Sequence, residues 1–140
     1  MSLATDSIFM KAIQSDASLM QKIGGRLYGT AIGLPDEDLD NVPVPYVIVT
    51  FNGLTNDQGT KDDRYESRYD KVEIGVEVTA KTLDDLHILT EMVRDTILSY
   101  LRSRTTAVDD YLFTAEGIQY DSMNPCYWQV LRYQCDTIND

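Results

Sequence analysis

The side chains that most often run chemistry are scarce in this chain and poorly grouped. Its one histidine, His87, stands among 140 residues, and a Ser-His-Asp or Cys-His site would need that imidazole beside a nucleophile and oriented by a third group. Asp84 and Glu91 are near enough in sequence only to touch it across a helix surface. No nucleophile signature accompanies it, so His87 is expected to be a structural residue. Cys126 and Cys135 lie on one strand-like segment at a spacing that puts them on opposite faces, too far apart to bridge. They read as small buried hydrophobes, and with a single histidine they do not make a CxxC-type zinc cluster.

One further motif is partial. Asp36-Glu37-Asp38-Leu39-Asp40-Asn41 opens like a calcium loop, with acids at alternate positions. The sixth position is Asn41 where a glycine is needed for the turn, and Val47 stands where a bidentate glutamate belongs. A solvated acidic loop is the better reading, with weak cation binding as the alternative. Neither GxxxxGK[ST] nor GxGxxG occurs, so no phosphate-binding loop is expected and no cofactor is implied.

A surface for another protein is better supported. The stretch from Asn52 to Arg68 is polar and mixed in charge, and interleaves Lys61, Asp62, Asp63, Arg64, Tyr65, Glu66 and Arg68. Tyrosine and arginine are favoured interface anchors. We expect a mobile arm over about 52–68 that contacts a partner. Its candidate residues are Asn52, Asp57, Lys61, Arg64, Tyr65 and Arg68, with Glu73 and Glu77 on the outer face of the strand that follows.

The elements that position these residues are legible from periodicity. From Lys71 to Ala80 the chain alternates, with Val72, Ile74, Val76, Val78 and Ala80 on one face and Lys71, Glu73, Gly75, Glu77 and Thr79 on the other. Thr82 can cap a helix from Leu83 to Leu101, with Asp84 and Asp85 in its first turn, Arg102 and Arg104 at its end, and Leu86, Leu89, Val93, Ile97 and Leu101 as the buried stripe. Thr5 or Asp6 is expected to cap a first helix through Gln14, and Ser15 or Asp16 a second one that Gly24-Gly25 stops. Strands are expected near Arg26–Thr30, Pro45–Asn52, Ser67–Ala80, Tyr111–Asp121 and Cys126–Thr137, with Asn52-Gly53 as a hairpin-turn dipeptide. The predicted fold class is α+β: a mainly antiparallel sheet of four to five strands, one long helix on a face, and two short N-terminal helices placed at an edge or on a neighbour.

With 43% hydrophobic residues, one domain over residues 1–140 with a single core is expected. Twelve basic against 23 acidic side chains give a net charge of −11, and the pI is about 4.3. A chain with no basic cluster has no means of displacing phosphate counterions, so repulsion from duplex DNA is expected. The start, Met1-Ser2-Leu3-Ala4-Thr5-Asp6, lacks the blocks of a signal peptide, and no apolar run is long enough to span a membrane. Synthesis in the cytoplasm, with no membrane partner, is therefore expected.

Several local signatures, in this order, resemble a known family. They are Ile8-Phe9-Met10-Lys11-Ala12-Ile13, Asp16-Ala17-Ser18-Leu19, Gly24-Gly25-Arg26-Leu27-Tyr28, the proline-led Val44-Pro45-Tyr46-Val47-Ile48-Val49, the strand Tyr69 to Ala80 and the helix Thr82 to Leu101. Together, from roughly Ile8 to Thr137, the chain is similar to the tail-completion proteins, or tail terminators, of long-tailed bacteriophages and prophages. The acidic, proline-bearing stretch from Asp36 to Pro43 and the polar residues Asn56 to Asp63 depart from the family pattern.

The resemblance implies an α+β subunit without enzymatic activity that joins a ring, often hexameric. The ring caps the tail tube and meets the head connector, while DNA passes through the channel without specific binding. Its partners would be other copies of itself, the tail-tube protein and the connector, and its place the host cytoplasm, then the virion tail or neck. The alternative reading is a small cytosolic ligand- or cation-binding module with a pocket between helix and sheet near Tyr46, Trp128 and Tyr133.

Overall fold

A computed structural model of the protein describes residues 2–29, 42–56, 69–103 and 108–138. The fold is α+β, built from helices α1 (Thr5–Gln14), α2 (Ala17–Lys22) and α3 (Leu83–Ser103) and strands β1 (Leu27–Gly29), β2 (Tyr46–Thr55), β3 (Tyr69–Ala80), β4 (Val108–Ala115), β5 (Gln119–Asp121) and β6 (Cys126–Ile138). The strands form one sheet in the order β1-β2-β3-β6-β4, with β5 also paired to β6. All pairs are antiparallel except β1 with β2, which run parallel.

Strand β3 is central, and its alternation has the expected consequence. Val72, Ile74, Val76 and Val78 are fully buried on one face, where they meet Phe9 and Ile13 of α1 and Leu86, Val93 and Ile97 of α3 in one apolar cluster. The first two helices are thus part of the main core, not appendages at an edge. Tyr133 of β6 sits in the same layer, edge-on to Phe9 at 5.0 Å and Phe113 at 5.1 Å. Among the described residues its hydroxyl has no hydrogen-bond partner, and burial pushes the phenol pKa upward. Arg94 of α3 lies 4.2 Å above the Phe113 ring, so a cation closes this aromatic group from the helix side.

The helix ends follow their chemistry with one exception. Asp16 accepts from the Leu19 amide at 3.1 Å, and Thr82 accepts from the Asp85 amide at 3.1 Å. Gly24 and Gly25 take φ of +61° and +73°, the left-handed conformation that lets the Gly25 amide reach the Met20 carbonyl at 2.9 Å and stop α2. The exception is α1. A short 3₁₀ turn, Ser2–Ala4, precedes it, and the cap position is Ala4 without a side-chain bond. Thr5 instead donates backwards to the Ser2 carbonyl at 2.5 Å, because the preceding turn brings that acceptor within reach.

Three boundaries differ from expectation. Asn52-Gly53 is not a hairpin turn; β2 runs on to Thr55, and the ladder slips by one residue between Phe51 and Gly53. Stopping at Asn52 would have left Leu54 outside the core, whereas the bulge lets Leu54 pair with Val72 and pack against the buried cluster. The expected strand Tyr111–Asp121 is split into β4, which begins earlier at Val108, and β5. Both pair with β6, and the break lies where the Glu116 amide bonds the Val130 carbonyl and the Gln129 side chain donates to the Glu116 carbonyl. The sheet therefore has five strand positions but six strands. The turn into β6 is held by Asp121, whose Oδ1 accepts from the amides of Met123 and Asn124 at 2.9 and 3.3 Å.

Truncating Ile74 to alanine removes a fully buried side chain from the middle of the central strand. The expected loss is about 2–5 kcal/mol of unfolding free energy in urea titration. Asp16→Ala removes the α2 cap and the 2.7 Å bond from Thr96 of α3; about 1 kcal/mol is expected. The Thr96 hydroxyl and the Leu19 amide hold the Asp16 carboxyl below its ordinary 3.8. Its contribution is therefore full above that value and fades as pH falls through the lowered one, so variant and parent should converge in acid.

Candidate functional site

The alternation that buries one face of β3 leaves the other turned away from the helices. Each row across this open face is given by the strand register: Tyr46–Thr79–Trp128, Ile48–Glu77–Val130, Thr50–Gly75–Arg132, and Glu73 beside Gln134. The face is uneven. Its half nearest the start of α3 is apolar, with Val42, Tyr46 and Ile48 buried and Tyr28 and Val44 packed on them. The other half is charged.

That charged half is organised by Arg132. Its Nη1 donates to Glu73 Oε1 at 3.1 Å, and its Nη2 is paired with Glu116. The two carboxylates raise the guanidinium pKa further, Glu116 contributing most. Between Glu73 and Glu77 the strand carries Gly75, over which Thr50 and Asn52 lean; a Cβ there would stand 2.9 Å from both Thr50 Oγ1 and Asn52 Nδ2. Thr50 donates to Asn52 Oδ1 at 3.0 Å.

Glu77 differs from Glu73. It is half-buried between Ile48 and Val130, and among the described residues it has no ion-pair partner. Removal from water without compensation raises its carboxyl above the ordinary 4.5. Two residues on, Thr79 is 1% exposed, and among the described residues its hydroxyl lacks a hydrogen-bond partner.

The structure thus brings Asn52, Glu73 and Glu77, three of the residues singled out from sequence, onto one face. Asp57, Lys61, Arg64, Tyr65 and Arg68 lie outside the described residues, as does the calcium-like stretch Asp36–Asp40. Arg132 and Glu116 were not anticipated. Their signal was present in the alternation of β6, which puts Arg132 on the outward face beside an acid-bearing strand, but the register that pairs them is not written in either segment alone.

The other candidates are placed as follows. His87 is exposed on α3. Cys126 and Cys135 are both buried and neither is in a disulfide; burial and then the neighbouring Asp136 push the Cys135 thiol up to about 12, so it stays protonated at ordinary pH. The pocket expected near Tyr46, Trp128 and Tyr133 does not form between helix and sheet. Tyr133 points into the helix-side core, whereas Tyr46 and Trp128 share a row on the opposite face. Strand pleating separates them: the odd spacing between Trp128 and Tyr133 puts them on opposite sides of the sheet.

Among solved structures, the fold is shared with a chain from the virion of a native gene transfer agent particle, at 10% sequence identity and a TM-score of 0.64, covering 96% of this chain and 94% of that one. The gp17 protein of bacteriophage SPP1 aligns at 16% identity and a TM-score of 0.49, covering 99% of this chain and 91% of that one. No protein-family model and no curated protein matches the chain.

A carboxylate held in apolar surroundings costs stability when charged. Because its folded pKa is raised, Glu77 disfavours the folded state increasingly as pH rises through that pKa, and has no such effect below 4.5. Glu77→Gln should therefore raise the melting temperature at neutral pH and leave it unchanged in acid, as read by calorimetry at both pH values.

Proposed function

We propose that this chain is a non-catalytic structural subunit of phage or prophage tail completion. In this reading it caps the tail tube and joins it to the head connector through protein–protein contacts, as a ring of identical copies. The observation that carries it is the fold, shared over nearly the full length of both chains with a component of a virion particle. The local signatures from Ile8 to Thr137 point the same way.

The charge supports this role on physical grounds. A ring around a channel for DNA needs walls that do not grip the polyanion, and a subunit with a net charge of −11 supplies them. The open sheet face supports a docking role. It combines an apolar half with a charged half, and Glu77 is kept there at a cost to stability. Asn52, Glu73 and Glu77 are its contact candidates. The segment carrying Asp57, Lys61, Arg64, Tyr65 and Arg68 would be a second contact, meeting the tail-tube protein. Synthesis in the host cytoplasm and residence in the tail or neck follow from the same reading.

Replacing residues 57–68 with a short glycine-containing turn tests the second contact, since β2 and β3 already pair from Tyr46 to Thr55 without it. The shortened protein should keep its circular dichroism spectrum and lose the ability to complete tails in a phage complementation assay. Normal tail joining by this variant would refute the role given to the segment. Electron microscopy of tails lacking the full chain should show tubes without a terminal ring.

A further inference from the structure

One corner of the sheet carries an apolar projection. In the turn between β5 and β6, Met123 is 92% exposed, the highest value among the exposed large hydrophobic residues described. Tyr120 and Ile118, just before it in the chain, are 54% and 38% exposed. The turn is not loose, because Asp121 binds the Met123 and Asn124 amides, so the methionine is presented on a fixed loop beside a carboxylate.

At the same end of the sheet, on the far side of β3, there is a hollow of about 320 Å³. Its floor is Val44, Pro45, Ala80 and Leu89, and its rim carries Lys22 and Lys81. Among the described residues Asp85 is the one acid lining it, against two lysines. Among the described residues neither lysine has an ion-pair partner. Two ammonium groups over an apolar floor, on a chain of net charge −11, make a local complement to an acid-flanked apolar side chain.

We infer that the β5–β6 turn of one copy seats in the Lys22/Lys81 hollow of the next, with Met123 on the apolar floor and Asp121 facing the lysines. The projection lies at the β5 side of the sheet and the hollow between β2, β3 and the helix layer, so the contact joins two different surfaces. Contacts of that kind are head-to-tail and close into rings when the rotation permits. The inference rests on the ring reading above and specifies which surfaces make it.

The test mixes two full-length variants, Ser122→Cys and Gln21→Cys, which flank the contact and leave Met123 and Lys22 in place, one carrying a tag that separates the products by mass. Both positions are exposed, and the native cysteines are buried. Random collision under mild oxidation gives mixed dimers as roughly half of all cross-linked pairs. The contact predicts a clear excess of the mixed species, abolished by Lys81→Glu in the Gln21→Cys protein. Negative-stain microscopy of the unmodified chain gives the separate readout. Rings without the mixed excess overturn this contact and leave the ring reading standing. A mixed excess confined to closed pairs, with no rings, overturns the head-to-tail arrangement, and neither rings nor a mixed excess overturns both.

Discussion

The fold depends on the burial of one row of side chains, Val72, Ile74, Val76, Val78 and Ala80, under two helices from distant parts of the chain. Because β3 is paired on both sides, its backbone is satisfied within the sheet, and its apolar row forms the floor on which α1 and α3 rest. Strand neighbours inherit their register from it. Leu54 reaches the core only because a bulge in β2 restores its phase with Val72. On the other side, β6 carries Leu131, Tyr133 and Cys135 into the same layer.

The same pleat creates the opposite face, whose composition follows a different requirement. There the central strand offers Glu73, Gly75, Glu77 and Thr79, none of which serves the core. Arg132 bridges Glu73 and Glu116, a geometry exposed enough that its worth lies more in ordering the surface than in stability. Among the described residues Glu77 has no such partner. In the proposed reading, that outward carboxylate is available to a subunit contact.

Likeness of fold at 10% identity has a physical basis in these same features. A strand that alternates, a helix with a stripe at its own period, and glycines that stop a turn can be met by many sequences, since volume and polarity matter more to a core than identity. Surface loops carry no such restriction. This is why the elements are recognisable across such a distance.

Much of the fold was legible in the residues. Period two in β3, period three to four in α3, the caps at Asp16 and Thr82 and the stop at Gly24-Gly25 are local, and each appears where its chemistry put it. What pairs with what was not legible. The parallel pairing of β1 with β2, the extension of β2 through Asn52-Gly53, the break between β4 and β5 and the integration of α1 into the core all depend on partners far away in sequence. The candidate surface divides in the same way. Alternation alone set Glu73 and Glu77 outward, but the tie from Arg132 to Glu73 and Glu116, and the seating of Glu77 between Ile48 and Val130, exist only once β2, β3 and β6 are in register. Local propensity is decided by neighbours along the chain, whereas burial and ion pairing are decided by neighbours in space, and only the folded sheet supplies those.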